Sequence, residues 1–246
     1  MKARNVLVTI AALAAAWQSL AMALRLDVLP TPTVVLWVFA RELPGELGRH
    51  LLWSTMRTLA SIALAVGLAT PLGLALGQSK ALSRLLSPLI YILYPIPKIV
   101  FLPIVLLFLG IGNTSKIFLI TLILWFQVLV VVKDQASSIR PELIHSVRSL
   151  GGGRRALFRF VYLPACLPAV LTAIRVSIGT AIAVLFFAES FATTSGLGYY
   201  IIVETWGRLD YASMYAGVVA MSLLGLVLFV AVDRLERRLC PWTVGG

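Results

Sequence analysis

Apolar residues in this chain run in six long stretches, at 6–24, 58–76, 89–109, 117–132, 169–188 and 214–232. A helix needs about 20 such residues to cross the hydrocarbon of a bilayer, and its backbone must be satisfied internally all the way. The pattern therefore predicts six membrane-crossing helices. The first has a second reading: Lys2 and Arg4, an apolar run and Ala21-Met22-Ala23 also spell a secretory signal. The run is longer than the about 7–15 residues of a signal core, which favours a retained span. The third stretch is irregular, because Tyr94-Pro95-Ile96-Pro97-Lys98 and then Pro103 remove backbone donors and should kink it. Such a break, with a lysine inside it, belongs against protein or a wet cavity, so this helix is expected in the interior of a bundle.

Composition supports the reading and removes others. The chain has 246 residues, 60% hydrophobic and 13% charged, with mean hydropathy +0.96, against about 45–50% apolar and about 25% charged in soluble domains. Its net charge of +11 is not the basic face of a nucleic-acid binder, since the cations sit in short segments between apolar runs. With the N-terminus inside, the cytoplasmic pieces 1–5, 77–88, 133–165 and 233–246 hold 13 of the 21 Lys and Arg residues, which predicts both termini in the cytoplasm. Cys166 and Cys240 form neither a zinc pattern nor a disulfide framework. There is no H-E-x-x-H, and Thr193-Thr194-Ser195-Gly196 lacks the glycine of a serine-protease arrangement, so the chain does not read as an enzyme.

The connection 133–165 carries the clearest local structure. Pro141-Glu142 starts a helix; Leu143, Val147 and Leu150 recur at helical spacing beside Ile144, and Glu142, His145, Ser146, Arg148 and Ser149 make the polar side. Gly151-Gly152-Gly153 ends it, and a second helix is expected from Arg154 to Leu163-Pro164. The residues alone leave two roles open: a helix lying on anionic headgroups, or a knob that fits a groove on a cytoplasmic partner.

His145-Ser146-Val147, three residues, Gly151, nine residues, then Val161-Tyr162-Leu163-Pro164 resembles the cytoplasmic-loop motif of bacterial ABC importer permeases. That motif runs Glu-Ala-Ala, three residues, Gly, nine residues, Ile-x-Leu-Pro; here the Glu-Ala-Ala is replaced. Tyr94-Pro95-Ile96-Pro97-Lys98-Ile99, Leu102-Pro103, Gly110-Ile111-Gly112, Ser115-Lys116, Ala188-Glu189 and Gly196-Leu197-Gly198-Tyr199 are similar to the nitrate, taurine and aliphatic sulfonate branch. The resemblance implies an all-α, six-helix, type I importer permease in the bacterial inner membrane. Residues 1–50 would be an N-terminal span and outer segment, 51–240 the permease core and 241–246 a cytoplasmic tail. It implies a second permease subunit (the same or a related chain), cytoplasmic ATPases and a periplasmic solute-binding protein as partners. The loop helix, with Glu142, Leu143, His145, Ser146, Val147, Leu150 and Gly151 and the motif's Leu163 and Pro164, would couple to the ATPase. No cofactor is expected on this chain: it has no G-x-x-x-x-G-K-[ST] to cradle ATP phosphates.

Lys98, Arg175 and Glu189 are the candidates for lining a solute path, with snorkelling to the surface open for Arg175 and a boundary position open for Glu189. Gly73-x-x-x-Gly77 allows a close helix approach or is chance in an Ala-rich helix, and His50 reads as a surface residue. An ion-coupled transporter or channel is the alternative function, but no inverted repeat and few midplane charges speak for it.

Overall fold

A computed structural model describes residues 3–191 and 193–243, with side chains from Val8. Lys2 and the last residues of the tail lie outside the described residues. All the regular structure among the described residues is helical. The long elements are α1 (Ala3–Leu24), α2 (Pro32–Glu42), α3 (Glu46–Gln78), α4 (Lys80–Leu93), α5 (Leu102–Leu109) and α6 (Asn113–Ser137). After them come α7 (Pro141–Ser149), α8 (Arg154–Leu157), α9 (Leu163–Ser190), the short α10 (Leu197–Tyr199) and α11 (Tyr211–Leu239). Among the described residues four helices are long and apolar enough to cross a membrane: α3, α6, the continuous stretch Arg154–Ser190, and α11. The pair α4 and α5, bent by 79° at its break, makes a fifth if counted as one span. In α1, the described side chains Val8–Leu24 form a shorter apolar helix.

The chain divides into two compact units, 1–55 with 189–224 and 56–188 with 225–246. The core of the second is built by Leu129, Val132, Val128 and Leu76 with Cys166, Val161 and Tyr162. Its helices α3 and α6 approach closely because Gly73 and Gly77 have no side chains. A Cβ on Gly73 would stand 2.9 Å from the Cβ of Val132, and one on Gly77 would collide with that of Ala136. The small-residue pair is therefore a packing device. In the first unit Val35, Leu47, Leu197, Tyr200 and Ala216 are buried.

The break between α4 and α5 falls at the prolines. Pro95 and Pro97 donate no hydrogen bond, so the helical ladder ends here, and the Leu93 carbonyl keeps only a long bond from the N–H of Ile96, at 3.3 Å. The ammonium of Lys98 supplies the replacement, donating to the carbonyl oxygens of Leu93 (2.9 Å), Tyr94 (2.9 Å) and Ile96 (3.2 Å). Its Nζ also lies 4.3 Å from the ring centre of Phe126.

Two expectations need correction. The helix that begins at Arg154 does not stop at Leu163-Pro164 but runs on to Ser190. Residues Phe158–Tyr162 form a π-helical turn in which the N–H of Leu163 bonds the carbonyl of Phe158. The widened turn accommodates a residue without an N–H, so the proline is passed rather than obeyed. His50 is no surface residue: none of it is exposed.

Candidate functional site

The loop helix forms where the sequence places it. Pro141 occupies the first turn, with Glu142 at the positive end and Arg148 in the last turn. Ile144 and Val147 pack against the core of the second unit. Leu143 is 44% and Leu150 88% exposed, so two leucines seven residues apart on one helix face are left uncovered. Glu142, His145 and Ser146 are exposed beside them. Gly151 has φ +80° with open space around its missing Cβ, so it is needed for its backbone conformation. The close approach falls on its neighbour, where a Cβ on Gly152 would lie 2.6 Å from Cγ1 of Val147. Leu163 is partly exposed and Pro164 half-buried, at the start of α9.

The three charged candidates are not brought together. Lys98 ties off the α4 break. Arg175, half-buried on α9, pairs with Asp233 and Glu236 of α11, each at 3.1 Å, and Asp233 also takes Arg237 at 3.0 Å. Thr172, one turn before Arg175, donates to Glu236 at 3.1 Å.

Glu189 has no exposed surface. Its Oε2 accepts from the Ser54 hydroxyl (2.7 Å) and the N–H of Gly198 (3.1 Å). Ser54 in turn accepts from the N–H of Leu197 at 2.8 Å, and Nδ1 of His50 accepts from the N–H of Gly196 at 2.9 Å. Three consecutive amides of 196–198 are thus held by side chains of α3 and α9. Gly196 has φ +111°, and a Cβ there would collide with the Glu189 carboxylate. Nearby, Glu42 accepts from the hydroxyls of Tyr200 and Ser213. Burial, and then Glu42 beside it, push the Tyr200 hydroxyl above its ordinary range, so it remains a donor.

Ligand atoms of Glu46, His50 and Glu204 lie within 4.8 Å of one another. The bond to Nδ1 decides what they can do. An imidazole that accepts at Nδ1 carries its proton on Nε2, the atom that faces Glu204 at 3.1 Å. That tautomer suits a carboxylate neighbour and does not fit a metal ion.

His50, Ser54 and Glu42 escaped the sequence reading. A signal existed for the first two: His50, Ser54, Arg57, Thr58 and Ser61 are all at most 2% exposed. They make a polar stripe at helical spacing along an apolar helix, which marks a buried polar seam.

Helices long and apolar enough to cross a bilayer, joined by a loop helix that leaves two leucines uncovered, define a multi-pass membrane protein. Residues 53–240 match the family described as the binding-protein-dependent transport system inner membrane component. The chain belongs to that family. It is 33% identical over 199 residues to the taurine transport system permease protein TauC of Escherichia coli (strain K12), covering 80% of this chain and 72% of that one. It is 32% identical over 216 residues to the protein of Bacillus subtilis (strain 168) named as an aliphatic sulfonates transport permease, SsuC, covering 87% and 78%. Among solved structures, the inward-facing MetNI methionine ABC transporter shares the fold with a TM-score of 0.64 at 23% identity, over 78% of this chain and 95% of that one. The chain is thus a multi-pass permease subunit of an ABC importer, and these relatives give no support to an ion-coupled transporter or channel.

Proposed function

We propose that this permease couples to a separate ATPase through α7 and carries a small organic anion, with sulfonates the first class to test. The uncovered pair Leu143 and Leu150 carries the coupling reading. Two leucines left exposed beside the anchoring Ile144 and Val147, between Pro141 and the left-handed Gly151, suit insertion into an apolar groove of a partner. The motif spacing from Gly151 to Leu163-Pro164 supports the same docking. The sulfonate class rests on the names of TauC and SsuC, and a binding protein would deliver the solute. Six spans with both termini in the cytoplasm, a second permease subunit and α7 at the cytoplasmic face complete the assembly. In this reading Arg175 and Glu189 are structural, and Lys98 lends a positive potential to the bundle interior.

The test is a mild-detergent pull-down of the tagged chain, followed by ATP hydrolysis measurements with and without Gly151→Asp. A separate ATPase should co-purify, and the variant should remain inserted while losing solute-stimulated hydrolysis. Leu150→Asp should release the ATPase. A chain that emerges without any ATPase partner would refute the coupling reading.

A further inference from the structure

We propose that the recess where α3 ends, α4 begins and α6 ends binds the phosphate headgroup of an anionic membrane lipid. The recess has a volume of about 710 Å³, and Lys80, Arg84 and Lys133 line it with the hydroxyls of Ser83, Ser87 and Ser137. No carboxylate lines it. Lys80 and Arg84 are exposed and form no ion pair among the described residues.

Lys133 is the informative residue. It is 6% exposed, yet its ammonium donates one hydrogen bond, to the Tyr91 hydroxyl at 3.1 Å, above whose ring it lies at 4.5 Å. Asp134 is 4.0 Å away, too far for a hydrogen bond, and turned to solvent. An ammonium has three N–H donors, and a buried one held by a single neutral acceptor is expensive. An anion in the recess would satisfy it. The first turn of α4, in which the Ser79 hydroxyl accepts from the N–H of Leu82 at 3.2 Å, brings the positive end of its dipole to the same place.

The position distinguishes a lipid from a dissolved phosphate. Leu76 and Gly77 are near the last residue of α3, Lys80 is the first of α4 and Ser137 the last of α6. The ends of membrane-crossing helices stand at headgroup depth whichever way the protein is oriented. Basic pockets between helices at that level hold anionic headgroups. On the flank of α4, Leu85, Leu89 and Ile92 are 74%, 53% and 68% exposed and offer acyl chains an apolar surface. The site does not involve α7, so it stands or falls separately from ATPase coupling.

Native mass spectrometry of the full chain, released from detergent after exposure to equal phosphatidylglycerol and phosphatidylcholine, tests this. The wild type should retain phosphatidylglycerol in preference. Lys80→Gln with Arg84→Gln should weaken that retention about thirty-fold, and Lys133→Gln further, with unfolding midpoints in phosphatidylcholine unchanged for the exposed pair. Millimolar inorganic phosphate should not displace the lipid. Equal retention by wild type and the exposed-pair variant overturns the proposal. Displacement by phosphate overturns it in favour of a soluble anion.

Discussion

A carboxylate without exposed surface survives only where donors surround it. Glu189 meets this condition by drawing the 196–198 backbone onto itself, directly at Gly198 and through Ser54 at Leu197. The arrangement works because residue 196 has no Cβ: its φ of +111° and the carboxylate against its α-carbon both exclude a side chain. Gly196→Ala should therefore lower the thermal unfolding midpoint in detergent, at a cost of about 1–3 kcal/mol for the strained backbone. Glu189→Gln keeps one accepting oxygen and should destabilise less than Glu189→Ala, which leaves the amide of Gly198 without its acceptor. An unchanged midpoint in Gly196→Ala would mean that Glu189 can rotate away, and that the bracket is not rigid.

At the scale of elements, the α4–α5 break shows how a sequence defect becomes a designed bend. The prolines interrupt the ladder in a low-dielectric setting, and one lysine donates to three carbonyls at the break. Lys98→Met should lower stability by about 1–3 kcal/mol, the penalty for unpaired buried polar groups. Lys98→Arg should recover part of it, and the midpoint series of the three proteins checks the order. A midpoint of Lys98→Met equal to wild type would show that water replaces the ammonium. The bend itself was legible in the sequence because its causes, Pro95, Pro97 and Lys98, are neighbours. The loop helix was legible for the same reason, its start and stop signals lying ten residues apart at Pro141 and Gly151. The polar stripe of α3 could mark His50 as buried, but its partner amide is 146 residues away and nothing local announces that pairing. Pro164 misled because a proline reads as a stop unless the π-turn ahead of it is known. Within the glycine run Gly151 takes the left-handed conformation while the close contact falls on Gly152, since only the folded loop shows which of three adjacent glycines faces Val147.

For the whole molecule the open quantity is the number of crossings, and α1 decides it. Its 22 residues measure about 33 Å at 1.5 Å each, enough for a hydrocarbon core of about 30 Å. Ile10, Leu13 and Leu20 on it are 57%, 66% and 53% exposed, so lipid or another subunit must cover them. If α1 crosses, a tag fused ahead of it and residue 27 after it lie on opposite faces; if it lies along the surface, they share one. The native thiols do not interfere with a cysteine-based test. Cys166 and Cys240 are at most 2% exposed, and burial, with Glu236 nearby, keeps the Cys240 thiol from ionising in its ordinary range. Asp27→Cys and Arg208→Cys should react with an impermeant maleimide added to cells with a permeabilised outer membrane, and Ser149→Cys on α7 only after lysis. The N-terminal tag should resist external protease until the membrane is opened. Labelling of Ser149→Cys from outside would invert the orientation and place α7 where no ATPase can reach it. A tag cut from outside while Asp27→Cys still reacts there would reduce the bundle to five crossings, with α1 lying on the outer face.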